Sequence, residues 1–247
     1  MQLKANLRVI SLIPSATDLL VSLNVDKKLV GVSTYCFVNK RICNLPKIGT
    51  ALSFDWEQMI SLNPGLVMID KYTSNKDIKN FKKLNIKIMM VKHESIKDIQ
   101  DSILKIGKVF NINKKARNLH NNFKQKLNSF KNKLINKKII FNLSERSSSK
   151  SINSSLVIGT NTFYHDIIKI LGAKNIVKTS GYKSFDIETL MSLKPDIVYC
   201  IREKSNLSKH TKDLWTQLYP NAKIRVITSK EAFIPSIHIV KFIKELI

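Results

Sequence analysis

The stretch SFDWEQMISLNPGLVMI at residues 53–69 returns as SFDIETLMSLKPDIVYC at residues 184–200, with Ser, Phe, Asp, Glu, Ser, Leu, Pro and Val in register. Each copy offers an Asp (Asp55, Asp186) able to cap a helix, then one short helix, a Pro (Pro64, Pro195) past its end and an apolar strand. A unit of this length present twice predicts two similar α/β lobes, not a short-period solenoid. Two lobes are expected to leave a ligand cleft between them.

The rest of the chain fits the doubling. Arg8 to Ile13 (RVISLI) is an apolar run that breaks at Pro14-Ser15-Ala16-Thr17, where Ser15 or Thr17 is expected to cap a helix beginning near Asp18. Its counterpart in the second half is Ser155 to Gly159, followed by Thr160-Asn161-Thr162 and a helical FYHDIIKILGAKNIV in which Asp166 answers Asp18. Ile86 to Val91 and Ile224 to Thr228 are a further matched pair of strands. Strands alternating with helices predict mainly parallel sheets with helices on their faces.

Between the halves, Ala116, Leu119, Phe123, Leu127, Phe130 and Leu134 recur at helical spacing, with polar residues on the other face. They predict one long helix from about Asn113 to Asn136, about 36 Å long at ~1.5 Å per residue, joining a lobe of residues 1–112 to a lobe of residues 137–247. Ile96, Ile99, Ile103, Ile106 and Phe110 form another amphipathic helix, assigned to the first lobe. The Ser-rich segment Ser144 to Ser155 is expected to be a solvated loop within the second lobe. The 247 residues suffice for two small lobes, each with its own core.

The 42 basic and 18 acidic residues give a net charge of +24. Only six of the basic residues are Arg, Lys is scattered through every segment, and no nucleic-acid-binding signature occurs, so no specific nucleic-acid partner is expected. A basic nucleic-acid-associated protein is the weakest of the readings. Cys36 and Cys43 share a loop and either pair in an oxidising compartment or stay reduced, and Cys200 falls on an apolar strand as a core thiol. His93, His120, His165, His210 and His238 are isolated, without metal-ligand spacing. There is no nucleophile elbow and no Gly-rich phosphate loop, so no catalytic residue, metal site or resident cofactor is expected. No apolar run approaches a membrane span, and the first strand starts too soon after Met1 for a secretory signal. The chain is therefore either cytoplasmic or met without a leader.

RVISLIPSATDLL, LVGVSTYC, LPKIG, the short helix ending in LNPGLVMI and its second copy ending in LKPDIVYC resemble the helical-backbone substrate-binding proteins of ABC importers for vitamin B12, iron-siderophores and haem. The resemblance covers essentially the whole chain and is strongest to the B12-binding branch. It implies two α/β lobes joined by one long helix, a monomer, and a bound ligand such as cobalamin, haem or a ferric siderophore. By the resemblance, Tyr35 stands where the loop after VGVS supplies an aromatic to the ligand. Tyr182 stands just before the second SFD, where B12-binding proteins present a Trp. Where those proteins place further aromatics this chain has Ala51, the stretch Asp70 to Tyr72, and Leu156; Ile234-Pro235-Ser236-Ile237 replaces a PGPR-like turn, with His238 near the expected Arg.

Tyr72, Phe233, Ser15 and Thr50 complete the candidate ligand residues. For the tyrosines the alternative is a half-buried core position, and for Ser15 and Thr50 it is local capping. Glu57 and Glu188 occupy one position of the repeat and match the glutamates that dock such proteins on arginines of an ABC permease. Their local alternative is a favourable charge at a helix start. The resulting expectation is a non-enzymatic carrier of a bulky metal chelate or tetrapyrrole, periplasmic by the resemblance. The alternative is a cytoplasmic corrinoid- or haem-binding homologue without a permease.

Overall fold

In the computed structural model, residues 7–36, 40–147, 151–203 and 210–247 are described. They fall into two units: Met1–His93 with Lys97–Phe123, and Glu94–Ile96 with Lys124–Ile247.

The first unit carries strands β1 (Val9–Ser11), β2 (Leu29–Ser33), β3 (Lys47–Gly49), β4 (Leu66–Ile69) and β5 (Lys87–Met90) in the order β3-β2-β1-β4-β5, every pairing parallel. Val9, Ile10, Val32, Val67, Met68 and Ile69 are fully buried, as expected for a sheet covered on both faces. Its helices are α1 (Pro14–Ser22), α2 (Lys40–Cys43), α3 (Trp56–Ser61), α4 (Asn75–Lys83), α5 (Ile96–Val109) and α6 (Asn113–Asn128), the last running on into the second unit.

Helix α1 starts earlier than the sequence predicts. Pro14 is its first residue, with the fixed φ and missing N–H that suit that position, so neither Ser15 nor Thr17 is a cap. Thr17 instead donates back to the Ile13 carbonyl (3.2 Å).

Helices α1, α3, α4 and α5 all end on an Asn with positive φ: Asn24, Asn63, Asn85 and Asn111. In α4 the Asn85 and Ile86 N–H groups close back on the Lys82 and Phe81 carbonyls at 3.1 and 2.9 Å. Asn performs the terminating role that Gly usually takes, in a chain with only seven glycines.

The second unit contains β6 (Lys138–Ser147), β7 (Ile152–Ile158), β8 (Lys174–Asn175), β9 (Tyr182–Asp186), β10 (Ile197–Ile201) and β11 (Lys223–Ile227). The order is β11-β10-β6-β7-β9, with β8 beside β6. Strands β6, β8, β10 and β11 pair in parallel, but β7 is antiparallel to both β6 and β9, so this sheet is mixed. Of the Ser-rich segment expected to be a solvated loop, 144–147 are instead the end of β6 and 152–155 the start of β7, while 148–150 lie outside the described residues. Ser155 is buried and bonded to Asn142 and to the Ser144 carbonyl (3.0 Å), which removes the cost of placing a hydroxyl inside. The counterpart of β1 is correspondingly β6, which lies next to β10 as β1 lies next to β4. It is not the Ser155–Gly159 run that the sequence suggests. Helices α7 (Phe163–Ile170), α8 (Ile187–Ser192), α9 (Thr211–Leu218) and α10 (Ile239–Leu246) complete the unit.

The helix predicted from Asn113 to Asn136 stops at Asn128, about 24 Å of α6 at ~1.5 Å per residue. Beyond it, the Asn132, Leu134 and Asn136 N–H groups donate to the carbonyls of Ile170, Leu171 and Gly172 at 3.1, 2.8 and 2.9 Å. These orphan carbonyls at the end of α7 take the donors that a continuing helix would keep for itself, and Asn132 and Asn136 turn with positive φ. The apolar spacing persists because Phe130 is still buried in the turn.

Candidate functional site

Because every strand of the first sheet points the same way, the loops after β1, β2, β3 and β4 emerge at one edge. This is the carboxyl edge, where ligands of open α/β sheets bind. The loops after β2, β3 and β4 carry Tyr35, Thr50 and Tyr72, and Ser15 lies in the first turn of α1 just after β1, so the four first-half candidates fall at one edge of one unit. Tyr35 and Tyr72 are 66% and 62% exposed, and Leu52, which sequence reasoning missed, is 72% exposed. Three large apolar side chains held in water on adjoining loops form a surface suited to a flat partner.

The loops are tied down. Thr34 N–H donates to the Gly49 carbonyl (2.8 Å), Thr73 Oγ1 donates to the Ala51 carbonyl (3.1 Å), and Lys47 Nζ donates to the Cys36 carbonyl (2.8 Å). Cys36 is buried with its Sγ 3.2 Å from Thr17 Oγ1, and burial raises its thiol pKa; Cys43 is exposed, and both thiols are free. Thr50 Oγ1 accepts from the Leu52 and Ser53 N–H groups (3.2 Å each), closing the turn after β3, while the cap of α3 is Asp55. Ser15 is buried and its Oγ has no hydrogen-bond partner. Beside Tyr72, whose ring lies 4.7 Å from Lys71 Nζ, Asp70 Oδ2 sits 3.4 Å from His93 Nε2.

In the second unit Tyr182 begins β9 and is 48% exposed. Its phenol interacts with that of the buried Tyr164, whose pKa is raised chiefly by burial and secondarily by Tyr182. Tyr164 Oη donates to the Ala232 carbonyl (2.6 Å), next to the half-buried Phe233. His238 is the residue before α10, and its N–H donates to Ser236 Oγ (3.2 Å).

The repeat forms as the sequence predicts. Asp55 accepts from the Gln58 N–H (3.0 Å) and Asp186 from the Thr189 N–H (2.8 Å); hydrogen bonding to Thr189, its side chain first and its N–H second, holds the Asp186 carboxyl below its ordinary pKa. Met59 and Leu190 are buried at matching positions. Trp56 packs on Phe81 at 4.7 Å, and Tyr219 Oη donates to the Leu190 carbonyl (2.5 Å), fixing the rotation of each helix. Glu57 and Glu188 consequently face solvent in the first turns of α3 and α8.

One cluster was invisible to sequence reasoning. Arg202, at the end of β10, forms a buried ion pair with Glu145 and bonds to Asn142; Glu145 also accepts from Thr211 Oγ1 (3.0 Å) and Trp215 Nε1 (3.5 Å). Burial lowers the Arg202 pKa to about 10. Every partner lies within the unit, and the network locks β6, β10 and α9 together. Among the described residues no group of three His, Cys, Asp or Glu side chains assembles into a metal site, and no helix is long and apolar enough to cross a membrane.

A family model described as periplasmic binding protein matches residues 9–217, and the chain belongs to that family, one of substrate-binding transport proteins and not of enzymes. It is 26% identical over 219 residues to an uncharacterized ABC transporter substrate-binding lipoprotein of Bacillus subtilis (strain 168), covering 85% of this chain and 68% of that protein. It is 27% identical over 197 residues to a high-affinity heme uptake system protein of Staphylococcus aureus (strain bovine RF122 / ET3-1), covering 76% and 65%. The chain thus spans about two thirds of the length of these curated relatives. Among solved structures, a possible iron-binding (periplasmic solute-binding) protein from Staphylococcus epidermidis ATCC 12228 matches with a TM-score of 0.78 at 25% identity over 98% of each chain.

Proposed function

We propose that the chain is the substrate-binding component of an ABC importer and that its cargo is a flat metal-bearing macrocycle or chelate, haem foremost, with cobalamin and ferric siderophores as the related cases. The observation that carries this is the trio Tyr35, Leu52 and Tyr72, exposed together on the carboxyl edge of a parallel sheet. The identity to a haem uptake protein turns the choice toward haem. Tyr35, Tyr72, Ser15 and Thr50 are the contacts from the first unit, the tyrosines stacking on the ligand and Ser15 offering its unpartnered hydroxyl. Tyr182, Phe233 and His238 are the contacts from the second. The permease partner is engaged through Glu57 and Glu188.

The test is Tyr35→Ala combined with Tyr72→Ala. Both side chains are mostly in water, so the melting temperature stays at the wild-type value while haem affinity falls about tenfold or more. An unchanged affinity in the double variant would remove the aromatic edge from the site.

A further inference from the structure

The two docking helices share more than their glutamates. Three residues after Glu57 stands Ile60, 48% exposed, and three residues after Glu188 stands Met191, 66% exposed. Positions three apart on a helix are neighbours on one face, with Cβ atoms about 5–6 Å apart. Ser61 and Ser192 are exposed beside them, and the opposite faces bury Met59 and Leu190. Each unit therefore presents a carboxylate next to an apolar side chain in water, built from the same repeat position. One exposed apolar residue is ordinary on a protein surface. Its recurrence at the matching site of the second copy, each time beside the outward Glu, is not explained by folding, since both helices are already anchored through their other faces.

We propose that Glu57 with Ile60, and Glu188 with Met191, form two equivalent two-point contacts for one partner, a membrane permease that offers twice a basic side chain beside an apolar recess. The inference rests on the docking reading above and adds what those contacts need. An exposed ion pair alone contributes little, because water screens it. Seating Ile60 or Met191 in a recess removes water from beside the pair, strengthening the attraction and adding apolar burial. Charge selects the same partner: on a chain of net charge +24, an outward Glu beside an exposed capping Asp (Asp55, Asp186) at each site favours a basic surface. Among the described residues neither Glu has an ion-pair partner within the chain.

The full-length haem-loaded protein is crosslinked through its lysines to membrane vesicles of its source cell, the captured ABC permease is identified by mass spectrometry, and its affinity is measured in nanodiscs. Ile60→Ser combined with Met191→Ser is expected to weaken docking about tenfold with haem binding and melting temperature unchanged, while Ile135→Ser, an exposed apolar residue elsewhere, has no effect. If Glu57→Gln with Glu188→Gln weakens docking and the Ser pair does not, the apolar contact is overturned and the docking reading stands. If neither pair matters, or no permease is captured, both fall.

Discussion

Among the described residues, seven asparagines with positive φ do what glycines do in most chains, and four of them end helices. Asn tolerates the left-handed region better than other residues with a Cβ but gains nothing over Gly there. Asn85 is exposed with φ of 56°. Asn85→Ala is therefore expected to cost about 1 kcal/mol in urea denaturation and Asn85→Gly to cost nothing; equal losses would show that the Asn side chain, not the backbone, ends α4. At this scale the two caps of the repeat were legible, since an Asp before a short amphipathic run has one obvious use, as Asp55 and Asp186 show, whereas Ser15 and Thr17 cap nothing because Pro14 already opens α1. Arg202 and Glu145 were not. They stand 57 residues apart without a pattern around either, and only the parallel pairing of β6 with β10 places them side by side.

Elements were legible where periodicity decided them and obscure where pairing did. The spacing through Phe130 and Leu134 continues past the point at which α6 stops, because Phe130 stays buried and Leu134 half-buried in the turns that follow. What ends the helix is competition for N–H groups by the carbonyls of α7, which no local pattern reveals. Likewise the serines of β6 and β7 read as loop until Asn142 supplies a buried partner. Contact between α5 and α6 gives a direct test. A Cβ at Gly107 would lie 2.2 Å from the Ala116 Cβ, so the helices touch through the missing side chain. Gly107→Leu is expected to destabilise the fold by about 1–3 kcal/mol, read as a lower urea midpoint at unchanged slope. A variant as stable as wild type would contradict that close approach.

At the scale of the whole molecule, the internal repeat announced two units and the residue pattern resembled one family, but neither identified the cargo. The proposed edge rests on side chains that the loops hold in water: the exposed Tyr35 stands in a position the resemblance marks, whereas the exposed Leu52, an isolated Leu after Gly49-Thr50-Ala51, looks like any loop residue in the sequence. The matched outward faces of α3 and α8 likewise become visible only when burial separates Met59 from Ile60 and Leu190 from Met191.

The central claim, that this chain carries a flat metal-bearing ligand, is tested most directly by titrating the purified full-length protein with haem, cobalamin and a ferric siderophore while following absorbance and melting temperature. A saturable spectral shift with haem is expected, and a stabilisation of about 2.7 kcal/mol when free ligand reaches a hundredfold excess over Kd. Unchanged spectra and melting temperatures with all three ligands at near-millimolar concentration would contradict it.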